Sequence, residues 1–323
     1  MPDTVGVPVG KNRVKLVFGG DIMVLNGDKP PILSAQLISL INSSDLFIAN
    51  LEAPLGTHAP DNTKKYTFKF HMPRAFLDAI QQQLGLPYEK WVLTNANNHS
   101  GDAGIAGFDE SIALLDQLGV LHLGHRNYTD PWRVVDIKGI KLGLAGWTHW
   151  LNRGVFDQQQ PVLAYQEILQ HGAARASGQI KFDYVIGLPH WGYEFQHFPE
   201  KSCLRHAREL MHNGFDLLLG SHPHVLQPYE IINGKYCFYS LGNFCGLGVA
   251  WPVKIITILE LHLEKSGTET TVAYFKHHYF YQLHDGEEIR IVPLEDLTPV
   301  MRERAEERLG IVIERSERHH AAL

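Results

Sequence analysis

Polar side chains that can bind a metal ion follow most of the predicted strands of this chain. The blocks are Gly19-Gly20-Asp21, Asn50-Leu51-Glu52, residues 94–102, residues 190–194, residues 220–224 and Ser240-Leu241-Gly242-Asn243. A single Asp after a strand usually caps a helix or forms a turn, and a single His usually packs in a core or lies on the surface. The combination favours one convergent metal site, because the carboxyl ends of strands in an open α/β sheet gather at one edge.

The types of these side chains indicate which ions the site would bind. Carboxylates, amide oxygens and imidazoles without thiolate favour Mn²⁺, Fe²⁺, Zn²⁺ or Mg²⁺. The chain has 19 His but only 3 Cys, which argues against a disulfide framework and a cysteine zinc site. A carboxylate such as Glu52 can bridge two cations about 3.5–4 Å apart, and water bound there becomes a hydroxide nucleophile near neutral pH. A His that is not a ligand can protonate the leaving group.

The elements that must position these residues alternate between strands and helices. Short apolar runs predict strands at 14–19, 46–50, 91–95, 120–124, 133–137, 141–146, 182–189 and 215–220. Helical spacing of apolar residues predicts helices at 32–41, 73–84, 103–118 and 200–213. Lys138-Gly139 and Asn233-Gly234 predict hairpin turns. The pattern therefore predicts an α/β domain with a mixed sheet or two packed sheets.

Composition limits the class of protein. The chain has 323 residues, 44% of them hydrophobic, so a sizeable core can form, and its formal net charge is −6. That charge argues against a protein that coats nucleic acid or an anionic membrane. No stretch reaches the roughly 18–20 apolar residues that span a bilayer, and the N-terminus lacks the apolar region of a signal peptide. A cytoplasmic protein without a membrane anchor is expected.

The ends of the chain differ from its middle. We expect an N-terminal extension at 1–13, a single domain at 14–298 and a charged C-terminal helix at 299–323. From Met301 onward the sequence has five Arg and five Glu, which suits a solvated helical face with i,i+4 ion pairs. Docking of this helix on a second copy, which would give a homo-oligomer, is the alternative interpretation.

At these polar blocks the sequence resembles the CapA family of capsule and poly-γ-glutamate synthesis proteins, within the calcineurin-like metallophosphoesterase superfamily. The matching blocks run in the family's order and are GGDIM (19–23), ANLEAPL (49–55), NANNHSGDAGIAGF (95–108), PHWGYEFQHFP (189–199), GSHPHVLQPYE (220–230) and YSLGNF (239–244). The resemblance covers about residues 14–246. It implies a four-layer α/β/β/α sandwich with two mixed sheets and a binuclear metal site at the strand ends.

The resemblance also implies a set of metal ligands. Asp21 resembles the carboxylate ligand of the first metal, Glu52 the bridging ligand, and His224 the ligand that closes the first site. The residues that resemble ligands of the second metal are Asn98, His190 and His222. Met23 stands where the wider superfamily has a His ligand, so we expect the first metal to have one protein ligand fewer.

Two further groups of residues are candidates for the chemistry and for contacts with substrate. By resemblance, His99 is the acid that contacts the leaving group, and Asp102 would orient its ring. The candidate substrate contacts are Asn50, Arg126, His149, Trp191, Glu194 and Asn243. For Trp191 and Glu194, a structural aromatic residue followed by a surface acid is the alternative interpretation. A cation at Arg126 or His149 would suit an anionic substrate.

The resemblance implies an enzyme that holds one or two divalent ions and hydrolyses an anionic substrate. The expected reaction is attack by metal hydroxide, with His99 as the acid, on a phosphoester or on a γ-glutamyl or other peptide-like amide. Such a reaction would belong to poly-γ-glutamate or capsule metabolism. A peptide epimerase that removes an α-proton in the same pocket is a second hypothesis. A non-catalytic binding component of a poly-γ-glutamate or capsule assembly is a third.

Overall fold

Strands and helices alternate along much of the chain. The computed structural model describes residues 4–6, 13–24, 29–58, 69–126, 130–152, 161–176, 178, 181–246, 248, 250–286 and 288–321. Its strands are β1 (Thr4–Gly6), β2 (Arg13–Ile22), β3 (Ile32–Leu33), β4 (Leu46–Leu51), β5 (Trp91–Thr94), β6 (Leu121–Leu123), β7 (Arg133–Ile137), β8 (Ile140–Thr148), β9 (Tyr184–His190), β10 (Leu217–Leu219), β11 (Tyr229–Ile232), β12 (Lys235–Phe238), β13 (Asn243–Cys245), β14 (Ile255–Ser266), β15 (Glu269–Asp285) and β16 (Glu288–Pro293). Its α-helices are α1 (Ala35–Asn42), α2 (Arg74–Leu84), α3 (Gly104–Leu118), α4 (Tyr165–Ala176), α5 (Lys201–His212) and α6 (Pro299–Ala321).

These strands form two mixed sheets. In the first sheet the order is β3-β16-β15-β14-β2-β4-β5-β6, with β1 paired to β15 and β13 paired to β2. In the second sheet the order is β11-β12-β10-β9-β8-β7. The run β2-β4-β5-β6 is parallel, and so is the run β8-β9-β10-β12. The loops that carry the polar blocks therefore leave the carboxyl ends of parallel strands, where ligands bind in α/β proteins.

Three apolar clusters separate the layers of the fold. Between the sheets, Leu16 and Ile48 of the first sheet share one cluster with Leu144 and Ile186 of the second. The outer face of the first sheet packs against α1 and α2, and the outer face of the second packs against α4 and α5. The predicted four-layer α/β/β/α sandwich with two mixed sheets is confirmed.

Both predicted hairpin turns are confirmed. Lys138 and Gly139, with φ of 51° and 78°, connect β7 to β8, and Asn233 and Gly234, with φ of 52° and 78°, connect β11 to β12. Positive φ at both central residues is typical of the type I′ turn, whose twist matches that of the flanking strands.

The structure differs from the sequence-based prediction in several elements. The predicted helix at 32–41 begins only at Ala35, because Ile32 and Leu33 form β3 beside β16 and Ser34 caps the helix. The strands β14, β15 and β16 and the helix α4 were not predicted. In β14, Leu259, Leu261 and Leu263 alternate with Glu260, His262 and Glu264, which is the period of a half-buried strand.

The C-terminal helix packs on the rest of the chain through one apolar stripe. Ala305, Leu309 and Val312 of α6 lie in a buried cluster with Tyr281 and Val292. Most other side chains of the helix from residue 299 to residue 314 are exposed, and Arg302 and Glu306 form an i,i+4 pair there at 3.9 Å. None of the described helices has an apolar stretch long enough to cross a bilayer.

Glu110 of α3 ties the loop that follows Glu52 to the helix that follows the Asn98 block. Its carboxylate accepts hydrogen bonds from Thr57 N at 3.0 Å, Thr57 Oγ1 at 2.7 Å and His58 N at 3.0 Å, and His58 Nδ1 lies 2.5 Å away. Side-chain hydrogen bonds, first from His58 and then from Thr57, lower the pKa of Glu110 to about 2.

This low pKa predicts a pH dependence of stability. Because the pKa of Glu110 is lower in the folded chain than the ordinary value of 4.5, ionised Glu110 stabilises the fold above that pH, and the stabilisation is lost as the pH falls towards 2. Glu110→Gln should flatten the decline in the free energy of unfolding over this range, measured by urea denaturation. Asp109→Asn removes an exposed acid from the same helix and should leave the slope unchanged. Equal slopes for Glu110→Gln and the original chain would contradict the prediction.

Candidate metal centre

Side chains from both sheets meet where the parallel strands end. The residues brought together are Asp21 at the end of β2, Glu52 after β4, Asn98 after β5, His190 at the end of β9, and His222 and His224 after β10. None of these six residues is more than 2% exposed. The oxygen donors come from the first sheet and the imidazoles from the second.

Glu52 belongs to two groups of ligand atoms. One group joins it to Asp21 and His224, the other joins it to His190 and His222, and within each group the ligand atoms all lie within 4.8 Å of one another. Glu52 Oε1 is 3.6 Å from His190 Nε2 and 3.7 Å from His224 Nε2. One carboxylate between two ligand groups fits the bridging ligand of a two-metal site.

Unpaired buried atoms show that the residues fit a cation. Glu52 Oε1 and both ring nitrogens of His222 have no hydrogen-bond partner, and an unpaired buried polar group costs about 1–3 kcal/mol. Burial, and then the neighbouring Asp21 carboxylate, raise the pKa of Glu52 well above its usual range. Burial lowers the pKa values of His190 and His222, and the neighbouring histidines lower them further. A divalent cation would compensate the carboxylates and accept the imidazole lone pairs.

Two asparagines orient the ligands of the first group. Asn50 Nδ2 donates to Asp21 Oδ1 at 2.8 Å and to Glu52 Oε2 at 3.1 Å. His224 Nδ1 is 2.9 Å from Asn243 Oδ1 and 3.1 Å from Asp21 Oδ2. These two oxygens favour a proton on Nδ1, so the lone pair of His224 Nε2 is free to bind a cation. Asn50 and Asn243 thus lie behind the ligands and hold them in place.

His190 is held at both of its ring nitrogens. Its Nδ1 lies 2.9 Å from Ser221 Oγ, and its Nε2 lies 2.8 Å from Asn98 Oδ1. Asn98 Oδ1 therefore adds an oxygen donor to the group formed by Glu52, His190 and His222. Ser221 supplies the outer hydrogen bond that a metal-binding imidazole usually makes.

The segment from His222 to His224 has a backbone that the sequence does not predict. An extended His-x-His would place both rings on one side of the chain, but φ is 97° at His222 and 56° at His224. These values lie in the left-handed region, where a residue other than glycine costs on the order of 1–3 kcal/mol. The ring centroids are nevertheless 5.8 Å apart, so the strained backbone still brings both imidazoles to the centre.

Gly20 allows the backbone at Asp21 to approach a neighbouring strand closely. A Cβ atom at Gly20 would lie 1.8 Å from the carbonyl oxygen of Gly242, and Asp21 N donates to that same oxygen at 3.1 Å. Any larger residue at position 20 would push β2 away from the segment that leads into Asn243.

His99 and Asp102 form a buried pair beside the ligands. His99 Nδ1 lies 2.6 Å from Asp102 Oδ2, which also accepts a hydrogen bond from Phe70 N at 2.6 Å. The ring centroid of Phe70 lies 4.2 Å from that of His99. The carboxylate keeps a proton on Nδ1 and fixes the ring, so Nε2 is the nitrogen that can exchange a proton with a substrate.

Three of the predicted substrate contacts pack against or pair with residues other than the candidate ligands. Arg126 pairs with Glu167 of α4 at 2.9 Å. Trp191 is 1% exposed in the cluster between the second sheet and its helices, and its Nε1 donates to Tyr239 O at 2.9 Å. The ring of His149 packs on Trp191, and burial, with a smaller contribution from a neighbouring His, lowers its pKa to about 4.

Aromatic residues around the centre were not singled out from the sequence. The Trp150 ring centroid is 4.9 Å from that of His222 and 5.3 Å from that of Tyr193, and the Phe195 centroid is 6.1 Å from that of His224. Tyr193 is 46% exposed and Phe195 45%. The run of aromatics in the block PHWGYEFQHFP (189–199) was the available signal. Exposed aromatic rings therefore lie beside the two candidate ligand histidines.

Comparisons with known proteins give a family and two curated relatives. Residues 15–246 match the family model described as "Bacterial capsule synthesis protein PGA_cap". The chain is 29% identical over 186 residues to the "PGA biosynthesis protein CapA" of Bacillus subtilis (strain 168), covering 55% of this chain and 48% of that protein. It is 27% identical over 274 residues to the "Capsule biosynthesis protein CapA" of Bacillus anthracis, covering 79% of this chain and 65% of that protein.

Among solved structures, the chain can be superposed on the calcineurin-like phosphoesterase YfkN from Bacillus subtilis. Its TM-score is 0.48 and its sequence identity 15%, with 94% of this chain and 99% of that chain covered. Against the curated relatives, by contrast, the chain spans only about half of one protein and about two thirds of the other.

Proposed function

We propose that this chain, which belongs to the PGA_cap family of bacterial capsule synthesis proteins, is a divalent-metal-dependent hydrolase. The observation that carries the proposal is the position of Glu52, whose buried carboxylate belongs to two groups of ligand atoms. A divalent cation bound there supplies Lewis-acid chemistry, which lowers the pKa of water and polarises a phosphoryl or carbonyl oxygen. The donor set of carboxylate, amide and imidazole suits Mn²⁺, Zn²⁺, Fe²⁺ or Mg²⁺.

The polar residues of the centre divide into two sets of metal ligands and one proton donor in this proposal. Asp21, Glu52 and His224 would hold one cation, and Asn98, His190 and His222 would hold the other together with the shared Glu52. His99 holds a proton for the leaving group, since its Nδ1 is occupied by Asp102 at 2.6 Å. Protonation of a leaving group by a positioned His contributes about 10²–10⁴-fold to a rate.

The proposed substrate is a phosphoester or a peptide-like amide from the metabolism of capsule or poly-γ-glutamate. The family and both Bacillus relatives carry names from capsule or PGA biosynthesis, and these names support the substrate class. An anionic substrate would be attracted by two divalent cations, whatever the arrangement of basic side chains around them.

Removal of the metal tests the proposal. Dialysis against a chelator should lower the turnover of an aryl phosphodiester, or the shortening of poly-γ-glutamate, by at least about a hundredfold, since a metal supplies several kcal/mol of transition-state stabilisation. Addition of Mn²⁺ or Zn²⁺ should restore the rate. Release of p-nitrophenol and the chain length of the polymer are the measurements. Full turnover by protein that elemental analysis shows to be free of metal would contradict the proposal.

The same preparation distinguishes the two other hypotheses. Solvent deuterium that appears at a peptide α-carbon without chain cleavage would identify a peptide epimerase. Metal-free protein that binds poly-γ-glutamate as tightly as metal-loaded protein, with no turnover in either state, would identify a binding component of an assembly.

A further inference from the structure

Glu194 lies in the loop between β9 and α5, next to two histidines of the candidate centre. Its carboxylate, His222 and His224 form a third group whose ligand atoms all lie within 4.8 Å of one another. Unlike Asp21 and Glu52, it is exposed. The described part of the chain provides it with no hydrogen bond. Glu194 is therefore a carboxylate on the solvent side of the centre, and no hydrogen bond from the described residues competes with a bound ion for its oxygens.

His222 supplies a second and independent observation. It is 2% exposed, and neither of its ring nitrogens has a hydrogen-bond partner. The rings of His190 and His224, in contrast, are hydrogen-bonded by Ser221 and Asn243. A buried imidazole with two unpaired nitrogens points to a ligand, and the Glu194 carboxylate lies within reach of the same position.

The group formed by Asp21, Glu52 and His224 leaves room for another donor. Met23, two residues after Asp21, is 1% exposed and packs in the cluster between the first sheet and its helices, so its thioether is turned into the core. Three protein ligands are fewer than the four to six that Zn²⁺ or Mn²⁺ takes up. A carboxylate that approaches from solvent adds a ligand without disturbing the buried ones.

The loop that carries Glu194 is fixed to the segment that carries the histidines. Phe195 N donates to Pro223 O at 2.9 Å, and Pro223 lies between His222 and His224. Phe195 has a φ of 63°, a left-handed conformation that is rare for a large aromatic residue. This strained residue holds the neighbouring carboxylate against the two imidazoles, and such strain is found most often at functional sites.

We propose that Glu194 is a further metal ligand that closes the centre on its solvent side. Glu52 joins the two ligand groups from the buried side, and Glu194 lies near one His of each group, so it can bind either ion or both. This inference rests on the proposed metal centre but does not depend on the reaction that the centre performs.

Metal binding without substrate tests this role. Equilibrium dialysis with Mn²⁺ followed by elemental analysis should show that Glu194→Gln weakens the binding of at least one ion by about tenfold or more, since even residues behind the ligands change affinity about 10–100-fold. Glu194→Asp, which keeps the carboxylate on a shorter side chain, should recover part of the affinity. Glu200→Gln removes the same charge further along the loop, where Glu200 precedes α5 without a side-chain capping bond, and should bind like the original chain.

The outcomes separate this inference from the proposed function. Two ions bound by Glu194→Gln as tightly as by the original chain would overturn the inference, including the case in which turnover falls and Glu194 contacts substrate instead. A metal-loaded original chain without turnover would refute the hydrolase and leave the role of Glu194 intact. Circular dichroism of each variant shows that the chain has folded.

Discussion

Glu52→Gln should remove both metal ions together and lower turnover by at least about a thousandfold, because the loss of several kcal/mol of metal-based stabilisation corresponds to several powers of ten in rate. Glu52 shares one group of ligand atoms with Asp21 and His224 and another with His190 and His222, so its buried carboxylate joins the two candidate sites. Asp21→Asn should therefore deplete one ion more strongly than the other. Elemental analysis of dialysed protein measures the loss of metal, and initial rates measure the loss of turnover.

Glu52→Gln should lower turnover but raise the free energy of unfolding of the metal-free chain. Burial, and then Asp21, raise the pKa of Glu52, so in metal-free protein its ionisation opposes folding as the pH rises above the unfolded value. Glu52→Gln should thus make the metal-free chain more stable at neutral pH while it abolishes function. Glu230→Gln is the matched control, because Glu230 is 2% exposed but pairs with Arg208 at 2.6 Å. This control should lose stability and keep both ions. Normal metal content in Glu52→Gln would contradict the bridging role.

His99→Gln should lower kcat by about 10²–10⁴-fold without loss of metal, since general acid catalysis by a positioned His contributes that much. The loss should depend on the leaving group. A p-nitrophenolate departs without a proton, whereas an alkoxide or amine needs one, so alkyl esters or amides should suffer far more than nitrophenyl esters. Asp102→Asn should show a smaller loss with the same trend, because it removes the negative charge of the carboxylate that accepts the Nδ1 hydrogen bond.

A buried His elsewhere provides the control for this prediction. His122 of β6 is 1% exposed and pairs with Asp116 at 2.9 Å, so His122→Gln should leave the ratio of alkyl to aryl rates unchanged. Equal losses for both leaving groups in His99→Gln, or a loss of metal, would show that His99 acts as a ligand or a structural residue instead.

The sequence predicts the layers of the fold better than its edges. Apart from α4 and the start of α1, strand and helix patterns up to Asn213 follow the structure closely, because the strands there are apolar runs and the predicted helices have one apolar face. The strands β14 to β16 were not predicted, although Leu259-Glu260-Leu261 of β14 and Ile289-Arg290-Ile291 of β16 carry the period-two alternation of a half-buried strand. Ile32 and Leu33 were predicted as helix because they continue the apolar spacing of α1 towards the N-terminus. In the structure they pair with β16 as a short strand.

The ligand-forming blocks could be predicted as loops, whereas the direction of individual side chains could not. Arg126 and His149 follow strands as the ligands do, yet their side chains pack in the helix layer on the outer side of the second sheet. Trp191 could have been placed from the sequence, since neighbouring residues of a strand point to opposite faces and His190 occupies the face of the centre. The positive φ values at His222 and His224 have no signal in the residue types.

The division of the ligands between the sheets has a consequence for the whole molecule. Asp21, Glu52 and Asn98 belong to one sheet, and His190, His222 and His224 belong to the other, so an ion in the centre would cross-link the two halves of the sandwich. Its binding energy would then resist the sliding and separation of the sheets, by about 2.7 kcal/mol at a free ion concentration one hundred times the Kd. The availability of metal would set the mechanical rigidity of the fold as well as its chemistry.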